Sequence, residues 1–389
     1  MIEKTNKLIA LLTNNDDDVY CFRKELLEAL VEAGYSLLIS CPYGEKFKLL
    51  KHLDYIYDNP EIDRRGTNPF KDLKLFFHYW KLLAKHKPMV VLTYTAKPNV
   101  YASLAARWLG IPYICNVTGI GSVRNKGPLM KAFIMKLFKQ SFRAADCVMF
   151  QNDYNRRFAE DNHMVNGRSR LIPGSGVDTS RFPLQPYPEG GDGDTGSPVV
   201  FNYIGRILYD KKVDDYLEAA RIIKARHPLT EFNLLGFIEP TESHYFETLK
   251  KMQEEGVVHY WGQQMDIRPF LMQAHATIHP STYGEGMSNV LLESASSGRP
   301  LITTDNPGCQ ETVQPDRTGF IYHGGDVRQL CDVIERFLKM DNGERRAMGE
   351  AGRRYVESNF NRRTVIADYL EEIHETVSHR RRSANRNPE

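Results

Sequence analysis

The chain has 389 residues, of which 41% are hydrophobic and 26% charged, with a formal net charge of +2. That length accommodates two domains of ordinary size, and the composition is that of a soluble globular protein. The near-neutral balance gives no bulk case for nucleic-acid binding. The six scattered cysteines form no C-x-x-C pair for zinc or redox chemistry, and no run of about 18 apolar residues is present to span a membrane. Unpaired thiols suit a reducing cytoplasm, and the first seven residues running straight into a strand do not form a signal peptide.

In chain order, Leu8-Ile-Ala-Leu-Leu12 is a continuous apolar run of the buried parallel-strand type. Residues 13–18 read as a loop with three consecutive carboxylates, Asp16, Asp17 and Asp18. D-x-D is a metal-ligating spacing near a diphosphate, but three adjacent carboxylates repel a diphosphate unless a metal lies between them, and no metal is expected here. A second D-x-D, Asp192 and Asp194, lies among chain breakers that offer no rigid frame. A helix over 22–33, a strand over 35–39, a helix over 69–86, a strand over 88–92, a helix over 100–109 and a strand over 112–116 follow. This alternation predicts a doubly wound α/β domain with ligands at the carboxyl ends of its strands.

Two strand-end segments offer hydroxyls, amides and small residues that can line a cleft: Thr93-Tyr-Thr95-Ala-Lys97-Pro-Asn99 and Asn116-Val-Thr118-Gly119-Ile-Gly121. Residues 124–143 carry Lys131, Lys136, Lys139 and Arg143 among Leu129, Phe133, Phe138 and Phe142, with no acidic residue. That is the composition of an interfacial membrane helix, each basic residue adding roughly 1 kcal/mol at an anionic surface. The helix over 69–86, rich in Phe, Trp and Lys, extends the same surface. A strand over 145–150, the turn Pro173-Gly-Ser-Gly-Val-Asp178 and a breaker-rich linker over 184–198 close the first half.

The second half restarts the pattern. A strand over 199–204 leads to Gly205-Arg206-Ile-Leu-Tyr-Asp-Lys211, whose two cations suit a phosphate. A helix over 213–227, strands over 231–235 and 257–261, a helix over 267–274 and a strand over 276–279 follow, and His279 at that strand's end is read as structural. Tyr283-Gly-Glu285-Gly286 is a loop, Ser288 an N-cap, and the helix runs to about residue 297, stopped by Gly298 and Pro300. The amides of Gly286, Met287 and Ser288, with the helix dipole, suit a diphosphate. Glu285 and Glu293 lie roughly 7–8 Å apart along the helix axis, too far to share a proton, so each suits a different hydroxyl-rich part of one long ligand. Strands over 301–304 and 319–322 and helices over 326–340, 342–359 and 362–378 precede a basic tail, 379–389, expected to be disordered.

E-G-M-S-N-V-L-L-E at 285–293, continuing into G-R-P-L-I-T-T-D-N-P-G-C-Q-E-T-V, resembles the nucleotide-sugar site of retaining glycosyltransferase family 4. G-R-x4-K at 205–211 looks like the family's phosphate clamp. T-x-x-K-P-N and N-x-x-G-x-G look like segments of bacterial members that extend undecaprenyl-diphosphate-linked sugars, such as N-acetylgalactosaminyltransferases acting on lipid-linked bacillosamine. The resemblance implies the GT-B architecture, two Rossmann-like domains facing across a cleft. An acceptor-binding, membrane-facing domain would span 1–183, a linker 184–198 and a donor-binding domain 199–361. The helix over 362–378 would pack back on the first domain.

The resemblance further implies catalytic roles for Arg206, Lys211 and Glu285, and donor binding by Gly205, Gly286, Met287, Ser288, Asn289 and Glu293. It implies an acceptor side at Thr95, Lys97, Thr118 and Gly119. The expected activity is metal-independent transfer, with retention, of a hexose or N-acetylhexosamine from a UDP-sugar to a polyprenyl-diphosphate-linked sugar. It needs no cofactor and takes place at the cytoplasmic face of the membrane, with peripheral attachment. A UDP-sugar epimerase, a membrane-bound sugar-binding or scaffold protein and a soluble transferase with a small acceptor are the alternatives. Two positions depart from the family: the acidic loop at 13–18, where glycines are usual, and Lys212, where glycine usually follows the clamp lysine.

Overall fold

A computed structural model describes residues 7–64, 66, 68–119, 127–189 and 196–386, with side chains to residue 380. The chain divides into two units, 1–175 with 363–389, and 176–362.

In the first unit the elements are β1 (Leu8–Leu12), α1 (Asp16–Glu32), β2 (Ser36–Ser40), β3 (Tyr55–Asp58), α2 (Pro69–His86), β4 (Val90–Tyr94), α3 (Ser103–Trp108), β5 (Tyr113–Val117), α4 (Pro128–Arg143), β6 (Cys147–Phe150), α5 (Asp153–Asp161) and β7 (Arg168–Leu171). The strands form one parallel sheet, ordered β3-β2-β1-β4-β5-β6-β7. β1, β4 and β5 are buried along their whole length, as unbroken apolar runs in a two-sided sheet must be. α2, α3 and α4 share a core on one face, through Leu75, Tyr79, Leu83, Ala105, Phe138 and Phe142. The other face is covered by α1 and by the chain's last helix, which contributes Val365, Tyr369 and Ile373.

The second unit holds β8 (Val199–Ile204), α6 (Val213–Arg226), β9 (Thr230–Leu235), α7 (Tyr245–Glu254), β10 (His259–Gly262), α8 (Arg268–Gln273), β11 (Ala276–His279), α9 (Asn289–Ser296), β12 (Leu301–Thr304), β13 (Gly319–Tyr322), α10 (Val327–Lys339) and α11 (Asn342–Asn359); α12 (Arg362–Arg386) then returns to the first. Its parallel sheet is ordered β10-β9-β8-β11-β12-β13. The strand order reverses between β8 and β11, and the carboxyl ends at such a switch point are where doubly wound sheets bind ligands.

Several expectations need correction. Asp16, Asp17 and Asp18 are not a loop but the first turn of α1, capped by Asn15 Oδ1, which accepts from the Asp18 amide at 2.8 Å. Acidic side chains are favoured there by the helix dipole. Each is engaged: Asp18 accepts from Thr13 Oγ1 at 2.7 Å, Asp17 pairs with Lys46 at 2.6 Å, and Asp16 accepts the Lys46 amide. Asp192 and Asp194 lie outside the described residues.

The boundary falls at 175/176 rather than 183, and residues 176–188 belong to the second unit. There the Gln185 amide donates to Ser297 O, Tyr187 Oη to His275 O, and Arg353 to Phe182 O. The tail expected to be disordered continues α12 to Arg386. Short β3, α5 and α7 were not anticipated, being too polar or too brief to show a clear period.

Candidate functional site

The loops after β8 and β11 bring the second unit's charged residues together. Gly236, after β9, approaches so closely that a Cβ there would lie 1.7 Å from Gly205 O. This close approach brings the ends of β8 and β9 together beside Arg206. Its Nη1 donates to Glu239 Oε1 at 2.9 Å, and its guanidinium sits 5.6 Å from the Tyr283 ring centre.

Lys211 ends a single 3₁₀ turn, Tyr209–Lys211, and its Nζ lies 5.9 Å from the same ring. Lys212 follows at φ 55°, a left-handed conformation that glycine adopts freely. That explains why glycine suits this position; here the lysine side chain extends over the Tyr209 ring.

Lys211 Nζ forms an ion pair with Glu285 Oε1. The carboxylate also accepts from Ser281 Oγ at 3.1 Å and lies 3.5 Å from His279 Nε2. Burial alone would raise the Glu285 pKa, but the Lys211 charge and the His279 contact outweigh it and hold the group well below the usual carboxylate range. His279 is fully buried at the end of β11, within 3.2 Å of Ser288 Oγ, and burial keeps it neutral.

The start of α9 differs from expectation in two respects. Ser288 is the N-cap residue, but its side chain makes no cap hydrogen bond, since its hydroxyl turns to His279. Its amide donates to Gly308 O at 2.8 Å, so of the three amides expected to cradle phosphate this one is engaged within the protein. Gly308 has φ 87°, and a Cβ there would meet Gly286 O at 2.8 Å, so two glycines make this crossing possible. Met287 packs inward with Leu291 and Leu292. Asn289 Oδ1 is buried and, among the described residues, has no hydrogen-bond partner. Glu293 lies one turn further along α9, partly exposed.

The structure therefore gathers Gly205, Arg206, Lys211, Glu285, Gly286 and Asn289 at the switch point. Tyr283, Glu239 and His279 complete the group and were not anticipated as site residues. Only Tyr283 left a signal, as an aromatic immediately before Gly-Glu-Gly. Among the described residues, no cluster of His, Cys, Asp and Glu is arranged to hold a metal.

In the first unit, the acceptor-side candidates follow β4 and β5. Thr95 adopts φ 64°, unusual for a β-branched residue, and a π-helical turn, Pro98–Ala102, begins three residues later. Asn99 anchors this bend, accepting from Thr93 Oγ1 at 2.7 Å and donating to Asn116 O at 2.7 Å. Lys97 is mostly buried in an ion pair with Asp72, which also accepts from Tyr101 Oη at 2.9 Å, so its charge is met inside the protein. Thr118 and Gly119 follow β5, half-buried; Ile120 and Gly121 lie outside the described residues. Of the basic residues on α4, Lys131 and Lys136 are exposed, while Lys139 donates to Asn162 O and Arg143 to Asn166.

Two family profiles match the chain: "Glycosyl transferase 4-like" over residues 8–152 and "Glycosyl transferases group 1" over 193–355. The chain is 26% identical to the N,N'-diacetylbacillosaminyl-diphospho-undecaprenol alpha-1,3-N-acetylgalactosaminyltransferase of Campylobacter jejuni, over 85% of this chain and 89% of that one. It is 24% identical to the UDP-Gal:alpha-D-GlcNAc-diphosphoundecaprenol alpha-1,3-galactosyltransferase of Escherichia coli, over 70% and 72%. Sucrose-phosphate synthase from Thermosynechococcus elongatus shares the fold, with a TM-score of 0.77 at 20% identity over 96% of this chain and 99% of that one.

Proposed function

Because the chain belongs to retaining glycosyltransferase family 4, we propose that it transfers a hexose or N-acetylhexosamine from a UDP-sugar to a sugar carried on polyprenyl diphosphate, at the cytoplasmic face of a membrane. The observation that carries this reading is the convergence of Arg206, Lys211 and Glu285 around Tyr283 at the carboxyl ends of β8 and β11. The two lipid-linked-sugar transferases to which the chain is similar support the acceptor class, and the E. coli relative supports a UDP donor.

Lys211 and Glu285 begin as partners. An incoming diphosphate competes for Lys211 and releases the Glu285 carboxylate to accept from donor sugar hydroxyls. Arg206 takes the second phosphate charge. Asn289 and Glu293 on α9 bind the sugar–nucleotide remainder, with Glu293 on the ribose. The acceptor oxygen bonds to the anomeric carbon as the carbon–phosphate oxygen bond breaks, and the acceptor proton passes to the departing phosphate. The leaving diphosphate gains charge in the transition state, where fixed cations act most strongly, so no metal is required.

The test is a screen of UDP- and GDP-sugars against a membrane lipid extract, read by mass spectrometry, with Arg206→Ala and Lys211→Ala assayed separately. Each substitution is expected to lower kcat by about 10²–10³-fold. Near-normal turnover at saturating donor in both would refute the clamp, and an epimer formed from donor alone would replace transfer with epimerisation.

A further inference from the structure

α2 has two apolar sides. Leu75, Tyr79 and Leu83 are buried against the sheet. On the opposite side Phe70, Leu73, Phe77 and Trp80, at helical spacing i, i+3, i+7 and i+10, form a second stripe that is exposed, Phe70 at 82%. Trp108 of α3 is 72% exposed and adjoins it, its ring tilted against that of Phe76 at 5.7 Å between centres, and Phe76 meets Phe77 edge-on at 5.3 Å. Lys74, Lys81 and Lys85 run along one edge of the stripe, all exposed. The more accessible acidic groups nearby are Glu61, which pairs with Lys74 at 2.7 Å, and Asp63, which pairs with Lys71 at 3.4 Å, and lipid phosphate can replace both; Asp58, paired with His78 of α2 at 2.9 Å, is mostly buried. α3 packs against both α2 and α4, and on α4 Leu129 and Phe133 are exposed beside Lys131 and Lys136. A soluble helix has no use for large aromatics opposite its core face. A row of lysines beside such a ridge is the charge pattern complementary to an anionic bilayer surface.

We propose that α2 and α3, rather than the basic helix α4 alone, make the principal membrane contact. Phe70, Leu73, Phe77, Trp80 and Trp108 enter the boundary between headgroups and acyl chains, while Lys74, Lys81 and Lys85 meet headgroup phosphates. The inference rests on the lipid-linked acceptor proposed above.

The test uses the full chain carrying Trp261→Phe, which leaves Trp80 and Trp108 as the only tryptophans of three. With vesicles containing phosphatidylglycerol, the fluorescence is expected to shift to the blue and to be quenched by brominated acyl chains; phosphatidylcholine alone should give little of either. In the Trp261→Phe background, Phe70→Ser with Phe77→Ser should reduce co-sedimentation at least tenfold with unchanged circular dichroism. Each of Lys74→Gln, Lys81→Gln and Lys85→Gln should weaken it about fivefold.

Vesicle binding that persists in the Phe70/Phe77 variant but is lost in Lys131→Gln with Lys136→Gln overturns this surface and leaves membrane attachment standing. Absence of binding to either vesicle overturns the surface altogether. Transfer to lipid-linked acceptor in detergent reads the underlying function independently of both. A dimer in sedimentation velocity without vesicles, lost on changing Phe70 and Phe77, assigns the ridge to a second copy of the chain and overturns the lipid assignment.

Discussion

His279 supports Glu285 from behind, and its protonation state is tied to folding. Burial pushes it below its ordinary value of 6.5, against the opposing Glu285 contact, so the folded protein holds it neutral. The unfolded chain binds that proton more readily. Its contribution is therefore complete above about pH 6.5 and is lost as the pH falls, at up to about 1.4 kcal/mol per pH unit. His279→Asn should flatten the decline in Tm between about pH 7 and about pH 5. An unchanged decline would mean that another group carries it. Glu285 has the same sign at lower pH: its folded value is depressed, so its contribution is present above the ordinary glutamate range and fades below it. Arg206, Lys211, Glu285 and Glu293 could be nominated from the sequence because their motifs are local; the structure brings the first three together, while Glu293 lies a turn beyond Asn289 on α9. Tyr283 and Glu239 were not assigned, because their roles depend on three strand ends meeting in space.

At the level of elements, most strands and the long helices were legible from unbroken apolar runs and from helical periodicity, α2 at both ends. The start of α1 was misplaced because three aspartates read as solvated loop, although Asn15 before them is a cap signal. The segment 184–188, the first part of the expected linker over 184–198, was misread because prolines and glycines mark irregular chain, and irregular chain also packs. Arg299 shows how it packs: wholly buried, it donates to Gln185 O and to Pro186 O at 2.6 Å, beneath the Tyr187 ring. Burial brings its pKa down to about 10, and Nε and Nη1 find no partner among the described residues. Arg299→Ala should cost about 3 kcal/mol in urea unfolding, from a cavity and two stranded carbonyls. Arg299→Met, which keeps the volume and removes a poorly satisfied charge, should cost less than about half of that. Equal losses would place the whole effect in the two hydrogen bonds.

For the molecule as a whole, the second unit begins and ends at one place. Val177 pairs with Asn361, its amide donating to Phe360 O at 2.8 Å, and a Cβ at Gly176 would lie 2.6 Å from Arg362 Cα. All the groups assigned to the donor lie between these ends. Residues 176–362 expressed alone should unfold in one cooperative transition, with Tm rising by several degrees at UDP concentrations about 100-fold above Kd. An unfolded fragment, or one whose Tm ignores UDP, would mean that the donor site needs the rest of the chain.

The first unit has no such independence, since Val365, Tyr369 and Ile373 of α12 complete one face of its sheet. During synthesis the ribosome delivers this N-terminal sheet first, yet the helix that covers it last. The usual vectorial order is thereby reversed. The later-made unit is the first able to finish folding, and the earlier-made sheet waits with an apolar surface open to chaperones until α12 has been made.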